Sequence, residues 1–148
     1  MNAGLERTII ESKMRHMAEM LEWLKETSMA GLEQYLTAPR FQHAAERELQ
    51  TLIEAATDIN VKILTSTGHG PPRDYFQSFI DVAQYTGAIS MKLAQQLAPS
   101  AGLRNRLVHE YGDLVNSRVF DSIEEALLSY PRYIMSIQDY LLRSEDAG

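Results

Sequence analysis

The stretch Gly102-Leu103-Arg104-Asn105-Arg106-Leu107-Val108-His109-Glu110-Tyr111-Gly112-Asp113 concentrates the groups in this chain that suit chemistry near neutral pH. Arginine presents a rigid fork of donors matched to phosphate oxygens, histidine moves protons near pH 7, and asparagine can orient either neighbour. On residue types alone the segment is a candidate phosphodiester site, and equally a helix end dressed with surface ion pairs. The other three histidines offer less. His16 with Glu19 and His43 with Glu46 form two H-x-x-E pairs at i, i+3 spacing. That order is the reverse of the E-x-x-H pairs of di-iron bundles, so both read as solvated helix surface rather than metal ligands. His69 lies in Gly68-His69-Gly70, which fails the G-x-G-x-x-G spacing because position 73 is Arg, and it too reads as solvated.

The elements that must carry these residues read as helices almost throughout. Ile10, Met14, Met17, Leu21 and Leu24 draw one apolar stripe along a helix of roughly residues 5–27. After a turn at Ser28 to Gly31, Thr37 with Pro39 two places on marks the start of a second long helix, striped by Phe41, Ala45, Leu49, Leu52, Ala56, Ile59 and Ile63. Thr65 to Arg73 is dense in glycine and proline and reads as a loop. Shorter helices follow, one at roughly 73–84 with Tyr75, Phe76, Phe79, Ile80 and Ala83 inward, another at roughly 88–97, and a segment beginning near Ser100. Phe120, Ile123, Leu127, Tyr130, Ile134, Ile137 and Leu141 then keep one register across Pro131, which predicts a single kinked helix rather than two. The expected fold is all-α, an antiparallel bundle forming one domain over residues 1–143, with Ser144 to Gly148 as a frayed tail.

Composition narrows the chemistry further. The 148 residues include no cysteine, which excludes disulfides, thiolate metal sites and a cysteine nucleophile. With no charge-free apolar run near Met1, the chain reads as cytoplasmic and without membrane contact. A net charge of −6 argues against broad electrostatic binding of nucleic acid. The charge is unevenly placed, however: residues 1–60 and 121–148 each carry −4, while 61–120 carry 6 basic and 4 acidic side chains, or +2. Any anion site belongs in that middle segment.

The pattern Arg104-Asn105-Arg106-Leu107-Val108-His109-Glu110-Tyr111, set before a long final helix in an all-α chain of this size, resembles the R-x4-H-x-Y motif of the HepT toxins, a branch of the HEPN superfamily. The resemblance covers essentially the whole chain. It implies a HEPN-like bundle and a ribonuclease that needs no metal or other cofactor and works as a homodimer, the motifs of both subunits facing one cleft. It also implies the toxin role in a type VII toxin–antitoxin pair, whose MntA-like nucleotidyltransferase antitoxin silences the toxin by AMPylating the motif tyrosine. Carried over residue by residue, Arg104 and His109 are catalytic and Tyr111 is the modified position. Asn105 and Arg106 are added as supporting groups on physical grounds alone. The competing expectation is a non-catalytic dimeric module of the same superfamily that only binds such a partner.

Helical geometry refines the expectation. Asn105 and His109 share a face at i, i+4, whereas Arg104 and His109 diverge by about 140° on an ideal helix. Arg104 shares its side with Leu107, Val108, Tyr111, Leu114 and Val115, an apolar arc. A charged guanidinium there needs a partner, and the reading is that it points into a subunit interface toward the other chain's histidine.

Overall fold

The computed structural model describes residues 3–109 and 114–147. Among the described residues seven α-helices carry the fold: α1 Ala3–Ala30, α2 Leu32–Thr37, α3 Pro39–Ser66, α4 Tyr75–Asp81, α5 Met91–Leu97, α6 Ser100–His109 and α7 Asn116–Ala147. No strand occurs among the described residues. The fold is the expected all-α bundle. The two long helices α1 and α3 pack along their lengths and run antiparallel, with Lys13 Nζ 3.1 Å from Asp58 Oδ2. The α1 stripe from Ile10 to Leu24 is buried as its spacing predicts, and so are Ala45 to Ile63 of the α3 stripe. α7 is continuous across Pro131 and lays Phe120, Ile123, Tyr130, Ile137 and Leu141 into the same core.

Three local expectations are corrected. Thr37 does not open α3: its hydroxyl donates back to the carbonyls of Glu33 and Gln34 and so closes α2, a helix absent from the sequence reading. The cap is Ala38, one residue later, and α3 begins at Pro39, where the missing N–H costs nothing. Phe41 is exposed rather than inward, because the chain has only just left the α2 corner. Tyr75 and Phe76 are exposed too. α4 is only one to two turns long and turns Ser78 and Phe79 inward instead, before the chain loosens into a π turn at Val82–Thr86 that Gly87 ends at φ 69°. That positive φ is a conformation glycine adopts without strain.

α4 is held in place by polar groups as well as apolar ones. Asp74 caps it, its Oδ1 accepting from Gln77 N at 2.7 Å. Below it, the Tyr133 hydroxyl of α7 donates to Asn60 Oδ1 of α3 at 2.6 Å, and Asn60 Nδ2 donates to Ser78 Oγ of α4 at 3.1 Å. Ser78 Oγ in turn donates to the Tyr75 carbonyl at 2.7 Å. Burial holds the Tyr133 hydroxyl well above the usual tyrosine range, so it remains a donor. All three side chains are fully buried, and a relay satisfied at each step specifies one arrangement of α3, α4 and α7. Asn60→Ala breaks the relay in its middle and is expected to cost about 2–3 kcal/mol in urea denaturation, whereas a loss below about 0.5 kcal/mol would show that the helices do not depend on it.

Candidate functional site

α6 presents the motif, and its own packing decides which side chains are available. Its first residue is tied to α7 through Ser100 Oγ, 2.7 Å from the Tyr130 hydroxyl. Ala101, Leu103 and Leu107 turn inward. Asn105, Arg106 and His109 are exposed, and Arg104 lies at the boundary with its side chain 19% accessible. The inward arc is therefore narrower than the spacing suggested: Val108 is half-buried and Val115 is exposed.

Arg104 finds its partners within its own chain. Nε donates to Glu54 Oε1 of α3 at 3.0 Å, and the same carboxylate oxygen accepts from Gln50 Nε2 at 3.0 Å, which fixes Glu54 in turn. The guanidinium carbon lies 5.0 Å from the centroid of the Tyr75 ring, a cation–π contact. Nη1 is 3.4 Å from Asn105 Oδ1, a long hydrogen bond. The expectation that a half-buried arginine needs a counter-charge is met within the chain by Glu54. The fork spends Nε on that anchor and keeps its other Nη hydrogens for an anion.

Glu54 and Tyr75 are the two site residues that the sequence reading missed. Glu54 is one acid among many on α3, and nothing in its spacing announces a partner 50 positions away. Tyr75 was read as core, yet the presence of two adjacent aromatics on a helix that needs only one to fill its core was a usable signal.

The structure separates the two arginines. They lie about 160° apart around an ideal helix. Arg106 faces the α7 side, where it lines a cavity with Ser122, Glu125 and Ser129, away from Glu54 and Tyr75. Asn105 stays with Arg104 and lines a groove on the α4 side. His109 stands in the last turn of α6, solvent-accessible and one turn beyond Asn105. Tyr111 lies outside the described residues.

The remaining histidines have separate settings. His16 Nδ1 is 3.7 Å from Glu19 Oε2 on the exposed side of α1, and His43 is also exposed. His69 is not simply solvated. It accepts or donates at 3.0 Å with Thr67 Oγ1 and stacks on the Tyr85 ring at 5.1 Å and 14°, pinning the loop after α3 to the π turn. No group of three or more His, Asp or Glu converges among the described residues.

Comparison with known proteins gives one consistent answer. The sequence model of the family described as Ribonuclease HepT-like matches residues 17–137. The chain is 39% identical to the tRNA nuclease HepT of Aphanizomenon flos-aquae over 143 residues, 97% of each chain. In structure it is similar to the tri-AMPylated HEPN toxin of Shewanella oneidensis in complex with the MNT antitoxin, at TM-score 0.81 and 26% identity over 94% of this chain and 99% of that one. A structure of the toxin–antitoxin pair MntA–HpeT aligns at TM-score 0.79 and 26% identity, over 89% of this chain and 98% of that one.

The ion pair that seats Arg104 is measurable on its own. A double-mutant cycle of Glu54→Ala and Arg104→Ala, read by chemical denaturation, should give a coupling of about 1 kcal/mol, as a pair with limited exposure allows. Additive single-mutant losses would mean that the contact does not anchor α6 to α3.

Proposed function

Because the chain belongs to the HepT-like ribonuclease family, we propose that it is the toxin of a type VII toxin–antitoxin pair, a homodimeric endoribonuclease of one domain over residues 1–143 that cuts RNA without metal or other cofactor. The observation that carries this reading is the state of Arg104: anchored through Nε to Glu54, covered by Tyr75, and left with Nη donors beside exposed Asn105. A guanidinium oriented by one carboxylate through Nε still has Nη donors with which to receive a phosphate. The Aphanizomenon relative makes tRNA the substrate class proposed here.

RNA brings its own nucleophile, so the site needs only a base, an acid and a positive stabiliser. In the proposed reaction His109 takes the proton from a 2′-hydroxyl, the O2′–P bond forms and the P–O5′ bond breaks. The leaving oxygen collects a proton from His109 of a second copy of the chain, and the two Arg104 side chains face the charge gathering on the phosphate. The products are a 2′,3′-cyclic phosphate and a 5′-hydroxyl, and DNA is spared for want of the 2′-hydroxyl. Asn105 supports Arg104 through its amide oxygen. Arg106, on the far flank of α6, is proposed to steer RNA rather than to touch the reacting phosphate.

Control by a partner belongs to the same reading. A MntA-like nucleotidyltransferase antitoxin is proposed to add AMP to Tyr111, which would set phosphate charge next to the groups meant for RNA phosphate. The solved neighbour in which a HEPN toxin is AMPylated and bound to its antitoxin supports this.

Purified chain incubated with pooled tRNA in EDTA should yield fragments ending in 2′,3′-cyclic phosphate. His109→Ala or Arg104→Ala should slow cleavage about 100-fold or more while the folded spectrum is kept. Wild type that leaves tRNA, and every other RNA offered, intact would overturn the proposal in favour of a binding module. After co-expression with a nucleotidyltransferase partner, the tryptic peptide containing Tyr111 should gain AMP mass, and neutralisation without that gain would remove Tyr111 from the account.

A further inference from the structure

Beside Arg104 lies a groove that the proposed cleavage chemistry does not use. Its walls are Phe76 and the edge of Tyr75 on α4 against Ala101, Gly102 and Asn105 on α6. Tyr75 is 38% exposed and Phe76 46%, while α4 fills its share of the core with Phe79 and Ser78 and packs Ile80 partly against it. Two adjacent aromatic rings are thus left facing water beside Arg104, whose guanidinium lies 5.0 Å from the Tyr75 ring centroid.

The groove is rigid and open. Its aromatic wall is fixed from below by the Tyr133–Asn60–Ser78 relay, which ends on the Tyr75 carbonyl, and from the front by the Asp74 cap. Its α6 wall is low, because a side chain at Gly102 would meet nothing closer than Arg106 Nη1 at 3.9 Å. Among the described residues the acid lining the groove is Asp74, whose Oδ1 accepts from Gln77 N and whose Oδ2 lies 3.5 Å from Arg73 Nε, so its charge is partly offset. The chemistry of the groove is a flat apolar wall, an adjacent cation and one amide at the edge.

From this geometry we infer that Phe76, flanked by the Arg104-braced Tyr75 ring, is a stacking platform for the nucleobase next to the phosphate that Arg104 holds, with Asn105 at the edge of that base. This inference rests on the ribonuclease reading for the identity of the ligand as single-stranded RNA. Every base has a π face, so such a platform binds with little sequence preference beyond stacking strength, and purines stack best. It also answers the acidity of the chain: stacking supplies affinity that a charge of −6 does not.

The test separates stacking from cleavage. Binding of a 2′-O-methyl oligoadenylate ten-mer, which lacks the nucleophile, is followed by fluorescence anisotropy beside the matching oligouridylate. Wild type should prefer the adenylate, and Phe76→Ala should lose about tenfold in affinity together with the preference. Phe76→Trp should restore both and Phe76→Leu should not, since leucine keeps apolar bulk without a π face. On cleavable RNA, Phe76→Ala should raise KM about tenfold and leave kcat within about twofold. Unchanged binding in Phe76→Ala, or full rescue by leucine, would overturn the platform. So would a change in the sedimentation of Phe76→Ala that shows the groove to be a contact between copies of the chain. Wild type that binds the oligonucleotide through Phe76 but cuts no RNA would uphold the platform and overturn the ribonuclease reading. Wild type that cuts RNA while Phe76→Ala is indistinguishable from it would do the reverse.

Discussion

A guanidinium cannot shed its charge, and that constraint organises this molecule. Arg104 sits at the edge of the core with its side chain 19% accessible, so an acid has to meet it, and Glu54 of α3 does so at 3.0 Å. That contact fixes the rotation of α6 against α3. Covering the planar face of the guanidinium with Tyr75 then requires α4 to stand at one height, which the buried Asn60 and Ser78 set, and Asn60 is itself held by Tyr133 from α7. Thus α3 and α4 meet the Arg104 side chain of α6 directly, and α7 steadies both through Tyr133. The anchoring also leaves α6 with two kinds of group, a braced cation on one flank and an accessible imidazole, His109, in the last turn. The proposed reaction assigns charge stabilisation to the first and proton movement to the second.

Much of this was legible in the sequence because apolar stripes at 3.6-residue spacing have one stable use. The α1 stripe and the α7 register across Pro131 read correctly for that reason: each buries a continuous face against the others. The motif was legible from residue types, and its family from the motif in its helical setting. The failures share a physical cause. α2 is six residues long, too short to show a period, and is fixed instead by one side chain, Tyr35, fully buried and 5.5 Å from the Phe120 ring. The aromatic run at α4 looked like core because composition does not say which side of a short helix faces water. Glu54 was invisible because an ion pair across 50 residues leaves no local trace. The premise that Arg104 is a charge in need of a partner was legible from its place on the apolar arc, whereas the identity of the intrachain partner, Glu54, was not.

The acidic balance also acquires a sharper meaning. Among the described residues, Glu54 is paired with Arg104, and Asp74 is engaged by a helix cap and by Arg73. The flanking segments that make the net charge negative, residues 1–60 and 121–148 at −4 each, hold α1 and most of the long helices α3 and α7. A local positive site on an acidic scaffold confines an anionic substrate to one place.

The central claim is that the α6 motifs of two chains act together on one phosphodiester, each His109 serving the other chain's reaction as acid or base. Mixing folded His109→Ala chains with wild type under conditions of subunit exchange, at constant total protein, tests it directly. If both histidines serve one cleft, tRNA cleavage falls as the square of the wild-type fraction, because only wild-type pairs are competent. A fall in simple proportion to that fraction would mean that each chain cuts alone, and would contradict the account.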